Sequence, residues 1–148
     1  MSNIFIKYNV NYNEYFIHEH CYYLLENLSK NKNSKINIYI PKIISYCKNS
    51  KILKMQKISG DNISNIYGED INNIPINIIT IIRQCIYLFN QYNIDYIDIT
   101  GYNFMLDKHE KLWIIDFEHA ICRKENEVTN KFLLNFINGE LSWNPDFE

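Results

Sequence analysis

Residues 95–120 read DYIDITGYNFMLDKHEKLWIIDFEHA and contain two acids, Asp98 and Asp116, and an amide, Asn103, at the ends of short apolar runs. Asp and Asn are common at turns and helix caps, so one interpretation is that these residues only shape the chain. The other interpretation is that the three side chains hold a metal ion and a phosphate group. The spacing of the three residues favours the second interpretation.

Asp98 and Asn103 have the spacing of the kinase catalytic-loop signature HRDxxxxN, in which an Asp precedes a metal-binding Asn by five positions. Asp116 opens the triplet DFE after the apolar residues 112–115, where the kinase motif DFG would begin. The chain therefore resembles the protein-kinase-like superfamily. Its ending IIDFEHA is most similar to the aminoglycoside phosphotransferase, choline kinase and RIO-type branches of that superfamily.

The resemblance implies a phosphotransferase that binds ATP and Mg²⁺. Phosphoryl transfer needs Mg²⁺ to bridge the phosphates, oxygen ligands for that ion, and a carboxylate to orient the attacking hydroxyl. Mg²⁺ prefers one or two carboxylates together with waters and phosphate oxygens, so Asp116 and Asn103 are an adequate metal-ligand set. Asp98 would then be the catalytic base or the group that orients the acceptor.

The N-terminal strand and helix resemble the other half of a kinase site. Lys7 in IFIK resembles the lysine of the VAIK strand, and Glu19 in FIHEHCYYLL resembles the helix glutamate that pairs with that lysine. A lysine fixed by a carboxylate presents its ammonium to the α- and β-phosphates. We expect Lys7 and Glu19 to form the pair, with Glu14 and Glu26 as rival partners.

Residues 52–64, ILKMQKISGDNIS, resemble the strand and hinge of the same superfamily. The resemblance implies that Met55 and Lys57 lie beside an adenine ring, which backbone groups of the hinge would bind. Residues 86–94 resemble the long helix that leads into a kinase catalytic loop.

Hydrophobic periodicity gives the order of elements. Strand patterns cover residues 4–8, 36–44 and 51–58, of which the last two would form a hairpin, and helix patterns cover residues 13–30, 75–92 and 127–137. Short β-type runs cover residues 96–100, 104–107 and 112–116. This order favours an α+β fold over a doubly wound parallel sheet. The resemblance implies a truncated kinase-like fold, in which a small antiparallel sheet with one helix precedes a helical part that carries the catalytic-loop hairpin.

The chain of 148 residues is long enough for one domain. We expect a single kinase-like domain over residues 1–148, with a reduced N-lobe-like part at 1–60 and a reduced C-lobe-like part at 61–148. The net charge of −2 gives no basic field for nucleic acid, and no stretch has the pattern of a signal peptide or a membrane span. We therefore expect a cytoplasmic protein that binds neither nucleic acid nor membrane.

The cysteines and histidines carry no metal-site pattern. The four cysteines, Cys21, Cys47, Cys85 and Cys122, lie far apart and contain no CxxC pair. His18 and His20 flank Glu19, but helix positions two apart do not converge on one metal as positions i and i+4 do. We expect both histidines at the surface or its boundary.

The sequence also departs from the family pattern. Tyr96 and Ile97 replace the His and Arg of the catalytic-loop signature, and Glu118 replaces the Gly of DFG. With Lys7 so near the first residue, we expect no Gly-rich loop, and the residues after Ala120 leave little room for a substrate lobe. A second copy or another protein would then cover the phosphate site.

Three functional hypotheses follow from these observations. The first is an ATP-dependent and Mg²⁺-dependent phosphotransferase of unknown acceptor. The second is a pseudokinase, or a kinase-derived scaffold for protein interactions, with little turnover. The third is an unrelated α+β interaction domain in which the motif is accidental. The abundance of Ile, Asn, Tyr and Lys reflects AT-rich codons and would suit a large DNA virus, with the host cytoplasm as its location, or a reduced genome.

Overall fold

The computed structural model describes residues 3–30 and 36–147. Within these residues the chain forms nine strands and four α-helices, which confirms the predicted α+β class. The strands are β1 (Ile4–Lys7), β2 (Ile38–Tyr39), β3 (Ile43–Cys47), β4 (Ile52–Gln56), β5 (Gly60–Asn62), β6 (Ile94–Asp95), β7 (Phe104–Asp107), β8 (Leu112–Ile114) and β9 (Ile121–Cys122). The helices are α1 (Tyr12–Ser29), α2 (Ile63–Tyr67), α3 (Ile76–Gln91) and α4 (Lys131–Ile137).

An antiparallel sheet of β1, β4 and β3 forms the N-terminal part, with β4 in the centre. Helix α1 follows β1 directly, and its residues Ile17, His18 and Cys21 are buried on one face because they lie three, four and seven positions after Glu14. Glu14 itself is buried at the start of this face. The helix thereby places a carboxylate beside the end of β1.

A second sheet has the strand order β2, β8, β7, β5. The β7–β8 hairpin forms because Asp107 organises its turn: Oδ1 accepts hydrogen bonds from the backbone N–H groups of His109 and Lys111, and Oδ2 accepts one from Trp113 Nε1. Strand β2 pairs with β8 in parallel, so residues on both sides of the predicted division at residue 60 share this sheet.

Helix α3 supplies much of the core. Its residues Ile78, Ile79, Ile82, Cys85, Ile86 and Phe89 are buried and repeat at three- and four-residue intervals. Arg83 on the same helix donates from Nε to the carbonyl of Phe136 at 2.8 Å, which satisfies a carbonyl near the C-terminal end of α4. In the part of the chain that the structure describes, no helix is long and apolar enough to cross a membrane.

The structure differs from the sequence prediction in three segments. The strand predicted at residues 36–44 is interrupted at Pro41, which has no N–H to donate to a ladder, so β3 alone forms the hairpin with β4. Residues 96–100 form no strand, because short turns close from Ile97 to Ile99 and from Asp98 to Thr100. Helix α4 begins later than predicted, because the side chain of Asn130 accepts from the N–H of Leu133 and caps the helix there.

Candidate active site

The hairpin and the loop before it fix the motif residues relative to one another. Asn103 is buried, and its Nδ2 donates to the backbone carbonyl of Asp98 at 2.8 Å. The carbonyl of Asn103 accepts a hydrogen bond from the N–H of Ile115 at 3.1 Å, which extends the β7–β8 ladder by one step. Asp116 follows Ile115, so the structure brings Asp98, Asn103 and Asp116 together.

Lys7 joins the N-terminal sheet to this loop. Its Nζ lies 2.6 Å from Glu14 Oε2 and 3.1 Å from Asp116 Oδ1. Asp116 Oδ1 also accepts a hydrogen bond from the N–H of Glu118 at 2.9 Å. The ammonium of Lys7 is thus held between two carboxylates, one from each half of the chain.

The predicted partner of Lys7 was wrong. The structure pairs Lys7 with Glu14, the rival candidate, and not with Glu19. Glu19 lies five positions after Glu14, which rotates it by about 140° from Glu14 around the axis of α1. Glu19 instead interacts with Tyr15, and a hydrogen bond between them contributes most to raising the pKa of the Tyr15 phenol to about 12.

Burial and mutual contact shift the proton affinities of these groups. Burial lowers the pKa of the Lys7 ammonium, but Glu14 and Asp116 more than reverse this, so the pKa lies above its usual value. Burial raises the pKa of the Glu14 carboxyl, and Lys7 offsets only part of that rise. Burial also raises the pKa of Asp98, with Asn103 opposing the shift and the charge of Asp116 adding to it. A carboxylate with raised proton affinity suits the role of a base.

The donor set fits a hard divalent cation such as Mg²⁺. The ammonium of Lys7 and the backbone N–H of Glu118 both donate to Oδ1 of Asp116. No group in the described residues donates to Oδ2. The amide nitrogen of Asn103 donates to the carbonyl of Asp98, and no group in residues 3–30 and 36–147 donates to the amide oxygen. No cluster of three or more His, Cys, Asp or Glu side chains suited to a metal occurs in residues 3–30 and 36–147. Asp116 and Asn103 would therefore be complemented by waters and phosphate oxygens.

A cleft of about 320 Å³ lies next to the Lys7–Asp116 pair. Met55 and Lys57 line it, as do residues that the sequence did not indicate, among them Phe5, Ile58, Met105 and Ile115. The N–H of Lys57 already donates to the carbonyl of Asn3, and that of Gln56 to Lys42. In the described part of the chain, the N–H of Ile58 donates no backbone hydrogen bond, and Ile58 lines the cleft, so it is a candidate donor to a ligand.

Aromatic rings pack against one another around the loop that carries Asp98. Tyr96, at the position of the signature His, packs edge to face against Phe117, with ring centroids 5.6 Å apart. The His18 ring also packs against Phe117, with ring centroids 4.9 Å apart, and donates from Nε2 to the carbonyl of Pro41 at 2.8 Å. Burial lowers the pKa of His18 to about 4. The prediction of a surface position was therefore wrong for His18, whereas His20 is exposed.

A buried ion pair that no motif in the sequence indicated stabilises the start of the loop. Arg123 Nε lies 2.7 Å from Asp95 Oδ1, which also accepts a hydrogen bond from Asn90, while Asp95 Oδ2 accepts from the N–H of Asn130. The guanidinium also donates to the carbonyl of Asn90. One feature of the sequence could have indicated the pair: Arg occurs only twice in a chain with 15 basic residues. The Arg guanidinium is suited to such forked contacts, so its use at this position has a structural reason.

The C-terminal segment is also part of this support. Asn144 is buried, its Nδ2 donates to the carbonyl of Ile97 at 2.7 Å, and its N–H donates to the carbonyl of Ile99 at 2.9 Å. These two carbonyls flank Asp98. Asn144 therefore fixes the backbone on both sides of Asp98, and no motif in the sequence indicated this contact.

Comparison with protein families agrees with this geometry. The family model for the RIO domain matches residues 6–135, which is most of the chain. The chain belongs to the RIO-domain family. This RIO domain thus belongs to the protein-kinase-like superfamily, a family of kinase-like phosphotransferases, as the sequence predicted. Lys7, Glu14, Asp98, Asn103 and Asp116 lie within the matched residues.

A solved structure with a similar fold is that of PK-1, the kinase of Cydia pomonella granulovirus, with a TM-score of 0.58 and 14% sequence identity. The alignment covers 86% of this chain and 46% of that kinase, so the RIO domain spans about half of that protein's length. At this identity the likeness concerns the fold, and it confirms the predicted truncated kinase-like fold. No curated protein sequence matches the chain.

Proposed function

We propose that this RIO domain transfers the γ-phosphoryl group of ATP to an acceptor hydroxyl in a reaction that depends on Mg²⁺. The observation that carries the proposal is the placement of Lys7 between Glu14 and Asp116 beside a partly apolar cleft. Clefts of about 300 Å³ or more are the usual size of small-ligand sites. Phe5, Met55 and Ile115 offer apolar contacts to a purine ring, and Ile58 offers a backbone N–H.

Each residue of the site has its own role in the proposed reaction. Lys7 neutralises phosphate charge, and Asp116 and Asn103 would hold Mg²⁺, whose charge would stabilise the negative charge of the transferred group. Asp98 accepts the proton of the acceptor hydroxyl. The acceptor oxygen bonds to the γ-phosphorus as the bond to the bridging oxygen breaks, and that electron pair leaves with ADP. The products are a phosphate ester, ADP and a proton released to water.

Thermal unfolding with Mg·ATP tests the nucleotide site. A ligand that binds only the native state raises the melting temperature by mass action. We expect Mg·ATP to raise it at millimolar concentration, and Asp116→Asn to remove the Mg²⁺-dependent part of the rise. Asp146→Asn is the matched control, because Asp146 is exposed and the substitution changes the net charge equally. A wild-type protein that shows no shift would refute the proposal.

Measurement of ADP formation separates the enzyme from a pseudokinase. We expect ADP to accumulate with the wild type in the presence of an acceptor and not with Asp98→Asn. A Mg·ATP-dependent melting shift without ADP formation would assign the domain to nucleotide binding alone.

We also propose that a second copy of the chain packs against β1. The side chains of Phe5 and Ile6 on β1 are 49% and 42% exposed. Neighbouring exposed apolar side chains favour contact between chains. Light scattering should show a dimer, which Ile6→Lys dissociates, and a monomer at all concentrations would exclude this contact.

A further inference from the structure

The charge of the chain is divided unequally between its two parts. Residues 1–60 contain nine Lys and three Glu, a net charge of +6, whereas residues 61–148 contain six Lys or Arg and 14 Asp or Glu, a net charge of −8. Residues 27–60 contain eight of the lysines and no acid. The total of −2 therefore conceals a strongly basic N-terminal part, and a molecule with this distribution turns that part toward a negatively charged surface.

Two connections lie side by side at one end of the N-terminal sheet, the turn between β3 and β4 and the segment between β1 and α1. The N–H of Val10 donates to the carbonyl of Lys51 at 2.9 Å, and Lys48 Nζ lies 5.0 Å from the centre of the Tyr12 ring. The surface at this end, which we call the basic tip, consists of Tyr8, Tyr12, Phe16, Lys48 and Lys51.

The basic tip exposes aromatic rings. Tyr8, Tyr12 and Phe16 are 64%, 51% and 45% exposed, and the ring centroids of Tyr12 and Phe16 are 6.2 Å apart. Neighbouring exposed apolar groups mark a contact surface. A tyrosine combines an apolar ring with a polar hydroxyl, so it suits the boundary between an apolar layer and water.

The lysines of the tip have no acidic partner. Lys48 and Lys51 are exposed, and neither forms an ion pair with a residue that the structure describes. The same holds for Lys54, which follows on β4. By contrast, two carboxylates neutralise Lys7. The tip therefore presents uncompensated positive charge beside its aromatic rings, and its partner should be anionic.

Contacts within the tip favour a lipid surface over a nucleic acid. Lys48 lies over the Tyr12 ring, and the His20 ring stacks on Phe16 with an interplanar angle of 9°. Single-stranded nucleic acid binds by stacking its bases on free aromatic faces, and these two rings each have a face that is already occupied. A lipid surface needs only apolar area that can enter the headgroup region, together with positive charge.

We propose that the basic tip docks this RIO domain onto the surface of an anionic lipid bilayer. The lysines contact the negatively charged headgroups, and the three rings enter the headgroup region. Such a contact needs no membrane-spanning segment. The acidic residues 61–148 are repelled by the same surface, which gives the contact one orientation. No residue of the tip lines the cleft beside Lys7, so docking leaves that cleft open, and the inference does not depend on the proposed phosphotransfer.

Flotation with vesicles tests the contact on the unmodified protein. We expect the protein to float with vesicles of equal parts phosphatidylcholine and phosphatidylserine, and not with vesicles of phosphatidylcholine alone. Added salt should weaken the binding, because it screens the attraction between lysines and headgroups. Equal binding to the two kinds of vesicle, or binding to neither, would overturn the proposal.

Two double variants locate the electrostatic contact. Lys48→Gln combined with Lys51→Gln should weaken binding to the anionic vesicles about fivefold for each lysine removed. Lys124→Gln combined with Lys131→Gln removes the same charge from exposed positions in the acidic part and should leave the binding unchanged. Equal losses in the two double variants would show that net charge alone governs binding, and docking through the tip would be refuted.

A matched pair of tyrosine variants tests the apolar contact. Tyr12→Gln should weaken vesicle binding about tenfold, because the ring no longer enters the headgroup region. Tyr87→Gln, at a 47% exposed position on α3, should bind as the wild type does. Unchanged melting temperatures would show that both variants are folded. Wild-type binding by a folded Tyr12→Gln variant would contradict the insertion of the rings.

Two other occupants of the tip would give different results. If the wild type binds poly(U) RNA but not the anionic vesicles, and the lysine double variant of the tip loses the RNA, the tip is a nucleic-acid site and the proposal fails. If the wild type binds no vesicles and the same double variant dissociates a dimer in light scattering, a second copy occupies the tip and the proposal also fails.

Discussion

Lys7 on the first strand pairs with Glu14 in the first turn of α1, with 2.6 Å between Nζ and Oε2. Only six residues separate the two in the chain, so the short connection between β1 and α1 allows the contact. Glu14 is the more buried member of the pair, with a side chain that is 6% exposed. Its carboxylate therefore orients Lys7 within a region that excludes most water.

The first prediction follows from this pair. Glu14→Gln keeps the shape of the side chain but replaces a charge-assisted hydrogen bond by a neutral one, so Lys7 is held less firmly. We expect the Kd for Mg·ATP, measured by calorimetry, to rise about tenfold. Glu19→Gln is the matched control and should leave the Kd unchanged. A larger effect from Glu19→Gln would show that the pair rearranges when nucleotide binds.

The second prediction concerns Asn144 as a positioning residue. Asn144→Ala frees the carbonyl of Ile97 on one side of Asp98, because the side-chain amide that donates to it is removed, while the backbone N–H of residue 144 still donates to Ile99. We expect kcat to fall at least about tenfold because misplacement of a base is costly, with the KM of ATP unchanged. Asn135→Ala, at an exposed position in α4, should preserve kcat. Equal losses in kcat and in Mg·ATP binding would indicate a general structural role instead.

The third prediction uses the raised pKa of Asp98. A folded-state pKa above the unfolded value means that folding favours the protonated acid, so ionisation at neutral pH costs stability. Asp98→Asn should therefore raise the melting temperature at pH 7. The difference in melting temperature between the wild type and Asp98→Asn should disappear as the pH falls below about 3.8, the ordinary pKa of Asp. At that pH Asp98 is protonated in both the folded and the unfolded chain, so it is neutral like the Asn that replaces it. A less stable variant at pH 7 would contradict the sign of this shift.

The fourth prediction uses the lowered pKa of His18, which is about 4 against an ordinary value of 6.5. The unfolded chain binds a proton at higher pH than the folded chain does, so stability is present above pH 6.5 and is lost as the pH falls through 4. By linkage the loss approaches about 3 kcal/mol. Denaturant unfolding should show this dependence of the free energy of unfolding on pH in the wild type and in His20→Gln. His18→Gln should remove it.

The fifth prediction concerns the hydroxyl of Tyr96, which is buried without a hydrogen-bond partner in the described residues. Removing an unsatisfied buried polar group recovers its desolvation cost. We expect Tyr96→Phe to raise the free energy of unfolding by about 1 kcal/mol. Tyr8→Phe, at a position that is 64% exposed, should change nothing. A less stable Tyr96→Phe protein would show that a water molecule binds the hydroxyl.

Local features of the chain were predictable because they depend on neighbouring residues. The β7–β8 hairpin follows from two apolar runs and a turn that Asp107 organises, and it brings Asn103 beside Ile115. Helix α3 follows from its apolar periodicity and from Pro75 at its start. The roles of Asp98, Asn103 and Asp116 in catalysis stay predictions that the variants above test.

Contacts between distant segments could not be predicted in this way. Glu14 rather than Glu19 faces Lys7 because of the rotation of α1, and that rotation is set by the burial of Ile17 and Cys21 in the core. Asn144 binds the loop from a segment that contains no motif and lies more than forty residues further along the chain. Such contacts depend on tertiary packing, which periodicity and spacing do not encode.

The parallel pairing of β2 with β8 has a consequence for folding. It joins Ile38 to Leu112, and the contact of Lys7 with Asp116 spans 109 positions. Contacts between residues so far apart in sequence form slowly, because a long loop must close before any of them contributes stability. The N-terminal sheet therefore cannot complete the site before Asp116 has been synthesised. We expect nucleotide binding to appear only in the last kinetic phase of refolding, after the helical core has formed.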